Sequence, residues 1–255
     1  MNILSEIVEK LRPRLEERKR ILHPDTLTRL AENAPSRPAF AQAFHAPGLH
    51  IIAELKKASP SKGVIRQTLD VPTLAAELAE NGATALSVLT EPNYFLGDEQ
   101  NLALAAKAVR IPLLRKDFIF DEYQVLEAKA LGASCILLIA AMLTDGRFRA
   151  LLAFAHSLGL DVLGEAHTED ELERVSQADL IGVNARNLKT FGTSLELASS
   201  LIRKVPSGRI AIAESAVQSR ADMEMLADAG ARGFLIGENL MRAEHPGLRL
   251  KELLS

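Results

Sequence analysis

From residue 50 onward, short apolar runs alternate with longer segments in which apolar residues recur at helical spacing. The short runs are rich in Ile, Leu, Val and Ala, which is typical of strands that are covered on both faces. They predict strands over residues 51–55, 84–89, 112–117, 135–140, 161–166, 180–184, 209–214 and 233–237. The segments between them predict helices over residues 73–81, 99–109, 121–131, 145–158, 168–176, 194–205, 219–229 and 246–254. Alternating strands and helices indicate a parallel sheet with right-handed crossovers.

Eight such strand–helix units indicate a closed barrel rather than an open sheet. The competing architecture, an open doubly wound sheet, usually has a glycine-rich turn after its first strand. Neither GxGxxG nor GK followed by Ser or Thr occurs after residues 51–55. A length of 255 residues is ordinary for one α/β barrel. We therefore predict an α/β fold with a single (β/α)8 barrel domain over residues 1–255.

Residues 1–48 do not follow the alternation and form a separate N-terminal pattern. Apolar residues recur at helical spacing from Ile3 to Leu15, and Pro13 lies inside that pattern, so we expect a kink or a break there. Thr26–Glu32 predicts a second short helix, and several prolines then mark irregular chain. These segments are too short to bury a core alone. We expect them to pack on the barrel as a helical extension.

Composition and charge narrow the class of protein. The net charge of −3 provides no basic surface, so we expect no nucleic-acid partner and no membrane association. The single cysteine, Cys135, lies in an apolar run and is interpreted as an inert core thiol. The histidines show no paired metal-ligand spacing, so no metal site is expected. The first twenty residues lack the apolar core of a signal peptide, and we expect a cytoplasmic protein without a fused partner domain.

Charged side chains collect at the ends of the predicted strands. In the stretch His50–Gly63, HIIAELKKASPSKG, Glu54 and Lys56 share one face of a buried strand, where each needs a partner or a function. Other polar residues at strand ends are Lys116, Glu165, Asn184, Glu214, Ser215 and Glu238. Barrel enzymes have their active sites at the C-terminal ends of the strands. The pattern therefore predicts one shared site at that rim.

Four segments of the chain resemble the indole-3-glycerol phosphate synthase family. They are IIAELKKASPSKGVIR, LLRKDFIFDEYQVLEAKALGA, GVNARNLKTF and FLIGENLMR, in the same order, and the similarity covers nearly the whole chain. The resemblance implies a carboxy-lyase of tryptophan biosynthesis. Its substrate, 1-(2-carboxyphenylamino)-1-deoxyribulose 5-phosphate, is cyclised, decarboxylated and dehydrated to indole-3-glycerol phosphate. The family uses no metal or organic cofactor, and we expect a monomer that binds this phosphorylated small molecule.

The resemblance also implies proton-transfer roles for three residues. Lys116 matches the acid that protonates the ribulose carbonyl oxygen, and we expect burial among other cations to lower its pKa. Glu165 matches the general base of the dehydration. Lys56 matches the lysine that pairs with the anionic groups of the substrate, the phosphate included, and its role as a second acid stays open.

Four further residues belong to the same predicted catalytic set. Glu54 and Glu214 match carboxylates that orient the lysines and bind ribulose hydroxyls, although a purely structural pairing with a lysine is nearly as good an interpretation. Asn184 and Ser215 would form hydrogen bonds with the substrate.

Substrate binding needs an apolar wall for the aromatic ring and a site for the phosphate. The predicted ring contacts are Phe95, Phe118, Leu114 and Leu188, with Pro60 at the edge and Ser59 as a polar contact. The phosphate is expected on Arg186 and on the backbone at Ala216, Gly237 and Glu238, before the short segment 239–242. The family often has glycine at the position of Ala216, where the extra methyl would affect the local backbone, and asparagine at that of Ala185; neither change removes a proton-transfer group.

Other interpretations remain open at this stage. A different phosphate-binding barrel enzyme, such as phosphoribosylanthranilate isomerase, would use a Cys/Asp acid–base pair, but Cys135 lies in mid-strand. A non-catalytic binder of a phosphorylated ligand would not need both lysines and Glu165. Lys57, Lys62 and Asp117 are interpreted as solvated or structural charges, and His167 as a helix-start residue.

Overall fold

A computed structural model of the chain describes residues 3–186 and 192–255. Eight parallel strands form a closed barrel in which each strand pairs with its neighbours along the chain, and the last pairs with the first. The strands are β1 (His50–Leu55), β2 (Ala85–Leu89), β3 (Leu113–Lys116), β4 (Cys135–Ile139), β5 (Asp161–Ala166), β6 (Leu180–Asn184), β7 (Ile210–Glu214) and β8 (Ala231–Ile236). The predicted (β/α)8 barrel is confirmed.

Helices cover the outside of the barrel and precede its first strand. They are α1 (Ile3–Ile21), α2 (Pro24–Glu32), α3 (Val71–Glu80), α4 (Glu99–Ala108), α5 (Glu122–Ala130), α6 (Asp145–Ser157), α7 (Glu169–Val175), α8 (Leu195–Ile202), α9 (Arg220–Asp228), α10 (Glu238–Arg242) and α11 (Pro246–Leu254). Most begin after a side-chain cap; Asp121, for example, accepts a hydrogen bond from the backbone N–H of Tyr123. In the described part of the chain no helix is long and apolar enough to span a bilayer.

Several predicted boundaries move, two of them for identifiable reasons. Helix α3 begins at Val71 rather than Thr73, because Asp70 caps it and Pro72 stands in the first turn, where proline is tolerated. Strand β8 begins at Ala231 rather than Gly233, with a register shift between these two residues. After β1, the chain forms a small antiparallel hairpin in which Ser59 pairs with Gly63.

The two faces of each strand pack against different layers. One apolar cluster, which includes Ile51, Ala53 and Leu55 of β1, lies between the strands and the helices. A second cluster fills the barrel interior and contains Ile52, Leu114, Leu163 and other inward-facing strand residues. Because side chains alternate along a strand, the residue two positions after each interior apolar residue also points inward.

The N-terminal segment contacts both ends of the barrel. Leu4, Ile7 and Leu11 of α1 belong to the interior cluster, as does Phe44 of a short 3-10 helix over Ala41–Phe44. Phe44 packs edge-on against His50, where β1 begins, so this aromatic pair closes the N-terminal end of the barrel. Further along α1, Leu15 packs with α2 and α5 in a separate cluster.

Helix α1 runs through Pro13 without interruption, so the alternative of a break is wrong. A proline inside a helix removes one backbone hydrogen bond. The buried stripe Leu4, Ile7, Leu11 and Leu15 continues on one face across that position. Packing of this stripe therefore outweighs the local preference of proline.

Candidate active site

Because side chains alternate between the two faces of each strand, the predicted charged residues line one cavity. Glu54 follows Ile52 by two positions, Lys116 follows Leu114, and Glu165 follows Leu163, so each charge stands one layer above an interior apolar residue. The cavity, of about 190 Å³, is lined by these charges and by Lys56, Asn184 and Glu214. Residues from five strands, β1, β3, β5, β6 and β7, thus meet at the C-terminal rim of the barrel.

Lys116 lies at the centre of the charged side of the cavity. Its Nζ is 2.5 Å from Oε2 of Glu214 and 3.0 Å from Oε2 of Glu165. Burial alone would lower the pKa of Lys116, but the carboxylates of Glu165, Glu214 and Glu54 outweigh it and raise the pKa above its ordinary value. The expectation of a lowered pKa is therefore wrong, because the sequence did not reveal how many carboxylates converge on this one ammonium.

The two carboxylates beside Lys116 are driven in opposite directions. Burial would raise the pKa of Glu165, but the positive charges of Lys116 and His167 lower it to about 2. Burial, together with the negative charge of Glu165, raises the pKa of Glu214 to about 7 despite its contact with Lys116. Near neutral pH, Glu165 is thus the ionised member of the pair and Glu214 the one that accepts a proton more readily.

Two glycines make room for the carboxylates. A Cβ on Gly182 of β6 would lie 2.2 Å from Oε1 of Glu214, and a Cβ on Gly237 would lie 2.1 Å from Oε2 of Glu54. Both distances are shorter than any real Cβ contact, so a side chain at either position would displace a carboxylate. Position 237 therefore requires glycine because of the carboxylate of Glu54, whether or not a phosphate also binds there.

Lys56 is the second ammonium at the site. Its Nζ lies 2.5 Å from Oε2 of Glu54, and both side chains are largely buried. Since Glu54 occupies only one direction around the ammonium, Lys56 can hold a second anion from the cavity side. Glu54 is therefore paired with a lysine, as both alternatives drawn from the sequence require.

Apolar residues form the opposite wall, and the N-terminal helix supplies part of it. Phe95 and Phe118 stack with ring centroids 6.0 Å apart, and Pro60 stands beside them at the cavity edge. Sequence reasoning missed the other apolar lining residues, which are Ile3, Leu4, Ile7, Leu89, Leu137, Ile139, Val217, Leu235 and Ile236. The helical spacing of the first three showed that α1 must pack on something, but not that it packs on the site.

The polar end of the cavity is formed by loops after β6, β7 and β8. Arg186 donates its backbone N–H to Oδ1 of Asn184, and Ser215 donates its hydroxyl to the same oxygen at 3.0 Å. Ser215 and Ala216 both have a φ of 65°, a left-handed conformation that favours glycine. The methyl group of Ala216 therefore costs backbone strain, whereas Ala185 is buried in the outer cluster and does not line the cavity.

Some polar residues near strand ends serve the scaffold. Arg115 is fully buried on the outer face of β3, where its guanidinium binds Asp117 at 2.9 Å and Glu127 at 3.2 Å. Asp117 is accordingly a structural charge. Glu91 accepts backbone N–H groups from Tyr94 and Phe95 and fixes the loop that carries Phe95.

Of the predicted site residues, fifteen line the cavity, and they are Glu54, Lys56, Ser59, Pro60, Phe95, Lys116, Phe118, Glu165, Asn184, Arg186, Glu214, Ser215, Ala216, Gly237 and Glu238. Leu114 does not: it is fully buried one layer below Lys116, which covers it. Leu188 lies outside the described residues. The side chain of Glu238 is a carboxylate, paired with Arg242 at 2.9 Å, so a phosphate would contact the backbone of Glu238 and not its side chain.

Cys135 and the histidines belong to no candidate metal cluster in the described part of the chain. Cys135 is fully buried in β4 and does not line the cavity, which disfavours a cysteine acid. No group of three or more His, Cys, Asp or Glu among residues 3–186 and 192–255 is arranged to hold a metal ion. His167, however, lies directly behind Glu165, with its Nε2 3.5 Å from Oε1 of that carboxylate.

Solved structures of other barrel proteins have folds similar to that of this chain. The chain superposes on thiamine phosphate pyrophosphorylase from Pyrococcus furiosus with a TM-score of 0.60 and 16% identity, covering 81% of this chain and 93% of the other. It superposes on N-acetylmannosamine-6-phosphate 2-epimerase from Clostridium perfringens with a TM-score of 0.59 and 13% identity, covering 74% and 86%. At such low identity these similarities show the fold alone.

Sequence comparisons are more specific. The family model described as indole-3-glycerol phosphate synthase matches residues 4–253. Indole-3-glycerol phosphate synthase of Koribacter versatilis is 51% identical over 230 residues, covering 89% of this chain and 88% of the relative. The enzyme of the same name from Campylobacter jejuni is 46% identical over 257 residues, covering 99% of this chain and all of the relative. The chain therefore belongs to the indole-3-glycerol phosphate synthase family.

Proposed function

We propose that this protein converts 1-(2-carboxyphenylamino)-1-deoxyribulose 5-phosphate to indole-3-glycerol phosphate, with Lys116 as general acid and Glu165 as general base. The observation that carries the proposal is the position of Lys116, which lies between two buried carboxylates and faces an apolar wall across one cavity. Membership of the family supports the reaction, and the cavity geometry supports the assignment of roles.

Ring closure joins an aromatic carbon to the carbonyl carbon of the ribulose, and the carbonyl oxygen takes up a proton. Phe95 and Phe118 hold the aryl ring on the apolar side. The oxygen becomes alkoxide-like, and an alkoxide is more basic than an amine, so Lys116 can donate even with a raised pKa. Glu165 and Glu214 hold its ammonium in place before the transfer.

Decarboxylation then breaks the bond between the ring and the carboxylate, and the bonding electrons restore aromaticity. In the preceding ring closure, an ammonium beside the substrate carboxylate reduces the repulsion between that carboxylate and the other anionic groups in the site. Lys56, fixed by Glu54, is the residue proposed for this contact.

Dehydration removes the new hydroxyl as water and a proton from the carbon next to nitrogen. Glu165 is proposed to take this proton, because it is the ionised carboxylate of the pair. The hydroxyl departs with a second proton, supplied by Lys56, or by Lys116 after it has taken up a proton from solvent. Asn184 and Ser215, joined by their own hydrogen bond, are positioned to contact the ribulose hydroxyls, and Glu214 to orient Lys116.

The phosphate is proposed to lie at the polar end of the cavity. Arg186 lines this end and matches phosphate geometry, and the backbone at Ala216, Gly237 and Glu238 borders the same space. Ser59 is proposed as a polar contact near Lys56. Leu188 remains a proposed ring contact from the sequence.

Several broader features are also proposals. We infer that residues 1–255 act as one barrel domain with residues 1–48 as its extension, and that the protein is a cytoplasmic monomer. Extensive packing of α1 on the barrel interior supports the first of these. Small-molecule chemistry without a metal or organic cofactor is proposed from the family.

The assay that tests the function follows the rise of indole fluorescence when purified protein meets the substrate, with released CO2 measured in parallel. Wild-type protein should produce both in equal amounts. The Glu165→Gln variant keeps the shape of the side chain but lacks the base, so it should bind substrate and fail to complete the reaction. Binding of the substrate by wild type without any fluorescence rise would instead indicate a non-catalytic binder.

A further inference from the structure

His167 is a buried titratable group that the proposed reaction leaves unused. It follows Glu165 by two positions, just beyond the end of β5, and its side chain is 9% exposed. Its backbone N–H donates to Oε2 of Glu171 at 2.7 Å, next to Thr168, which caps α7. The helix-start role expected from the sequence is therefore met by the backbone of His167, and the imidazole has another task.

The imidazole lies between two carboxylates. Nε2 is 3.5 Å from Oε1 of Glu165, and Nδ1 is 3.5 Å from Oε2 of Glu171. Among the described residues neither ring nitrogen has a hydrogen-bond partner, so these two carboxylates are the groups that the buried ring nitrogens approach. A neutral imidazole would present a lone pair to one of the carboxylates, whereas an imidazolium presents an N–H to both. The arrangement therefore favours a protonated His167.

The carboxylates around the ring act in the same direction. Glu165 from β5, Glu171 from α7 and Glu214 from β7 face it, and Lys116 from β3 stands on the far side of Glu165. Burial would lower the pKa of His167, but Glu171, Glu165 and Glu214 outweigh it and raise the pKa. Glu165 thus has one cation on each oxygen: Lys116 on Oε2 and His167 on Oε1.

We propose that His167 is a positioning residue for the reaction: held between Glu165 and Glu171, it is the second cation that keeps Glu165 ionised when Lys116 gives up its proton. The inference rests on the proposed roles of Lys116 and Glu165. Once Lys116 is neutral, Glu165 has lost the cation on Oε2 and still lies buried beside Glu214. A charged His167 then preserves a base for the dehydration.

One arm of the test needs no substrate. The Cε1–H resonance of His167, identified by its loss in His167→Gln, is followed by NMR across a pH titration of the ligand-free protein. The midpoint should lie above that of an ordinary histidine and fall by about one pH unit in Glu171→Gln, which keeps an acceptor for the backbone N–H but lacks the charge. A midpoint below the ordinary value that does not move in Glu171→Gln would overturn the proposal.

The other arm measures kcat against pH. Wild-type kcat should decline on the basic side with the NMR midpoint of His167, and Glu171→Gln should move both midpoints together. His167→Gln should lack this decline and run about tenfold slower at neutral pH, with little change in KM. A residue that only supports folding would lower kcat by one factor at every pH. The proposal is overturned if Glu171→Gln moves the NMR midpoint alone, or if His167→Gln keeps the wild-type profile.

The two arms separate this inference from the proposed function. Failure of wild-type protein to cyclise the substrate would contradict the proposed function, and the titration would still decide the charge state of His167. Should His167→Gln fail to fold, His167→Asn replaces it for the resonance assignment and the kinetics, and Glu171→Gln is used in both arms as before.

Discussion

Gly182 and Glu214 approach each other so closely that a Cβ on the glycine would lie 2.2 Å from Oε1 of the carboxylate. The two residues stand on adjacent strands, β6 and β7, and the carboxylate holds Lys116 with its other oxygen. The missing side chain at 182 thus determines where the proposed acid lies.

Gly182→Ala should therefore impair catalysis more than folding. Displacement of Glu214 should reduce kcat at least about tenfold, equivalent to ~1.4 kcal/mol in the activation barrier. Gly164→Ala is the matched control, because its Cβ would meet Val175 and Ala178 on the outer side of the barrel at 2.8 and 3.0 Å. It should lower the melting temperature while leaving kcat of the folded protein near wild type. Equal kcat in the two variants would refute the role of Gly182.

The left-handed backbone at Ala216 predicts a stabilising substitution. With φ at 65°, Ala216→Gly should relieve strain and raise the free energy of unfolding by about 1 kcal/mol, as measured by urea denaturation. Ala150→Gly, at an exposed position inside α6, should lower it by about 1 kcal/mol instead. A lower free energy of unfolding in Ala216→Gly would contradict the presence of backbone strain at Ala216.

The N-terminal helix should affect substrate binding through Ile7 but not through Leu15. Both side chains are buried in α1, yet only Ile7 lines the cavity, whereas Leu15 packs against α2 and α5. Truncation of either side chain to Ala should lower the free energy of unfolding by about 2–4 kcal/mol. Steady-state kinetics should show a raised KM in Ile7→Ala alone. A similar KM in both variants would mean that α1 contributes stability only.

The raised pKa of Glu214 predicts how stability varies with pH. A carboxyl whose pKa is about 7 in the folded protein, against an ordinary 4.5, contributes stability below pH 4.5 and loses it as the pH rises toward 7. Relative to wild type, Glu214→Gln should therefore gain free energy of unfolding between pH 4.5 and 7, on the order of 3 kcal/mol. Urea titrations at several pH values measure this difference. A constant difference across the range would contradict the assignment.

The sequence predicted the barrel because each strand is an apolar run followed by a helix with caps, and both signals are local. It also predicted that Glu54, Lys116 and Glu165 meet, since the C-terminal ends of parallel strands share one rim. It could not distinguish Lys116 from its neighbour Arg115 by charge. Their opposite positions follow from alternation, which places Arg115 against Glu127 outside the barrel.

Features that depend on tertiary packing were out of reach of the sequence. Leu114 shares a face with Lys116 but lies one layer too deep to touch a ligand. The position of α1 over the cavity depends on how its buried apolar residues fit the barrel interior. The continuity of α1 through Pro13 depends on the same packing. The raised pKa of Lys116 could be predicted only from the carboxylates that surround it in the folded protein.

The central claim is that Lys116 supplies the proton for ring closure, and single-turnover fluorescence of Lys116→Met tests it most directly. Indole formation should slow by about 10²–10⁴-fold, while the Kd of the substrate stays within about threefold of wild type, because the ammonium acts mainly in the transition state. Lys116→Met that forms indole at the wild-type rate would contradict the claim.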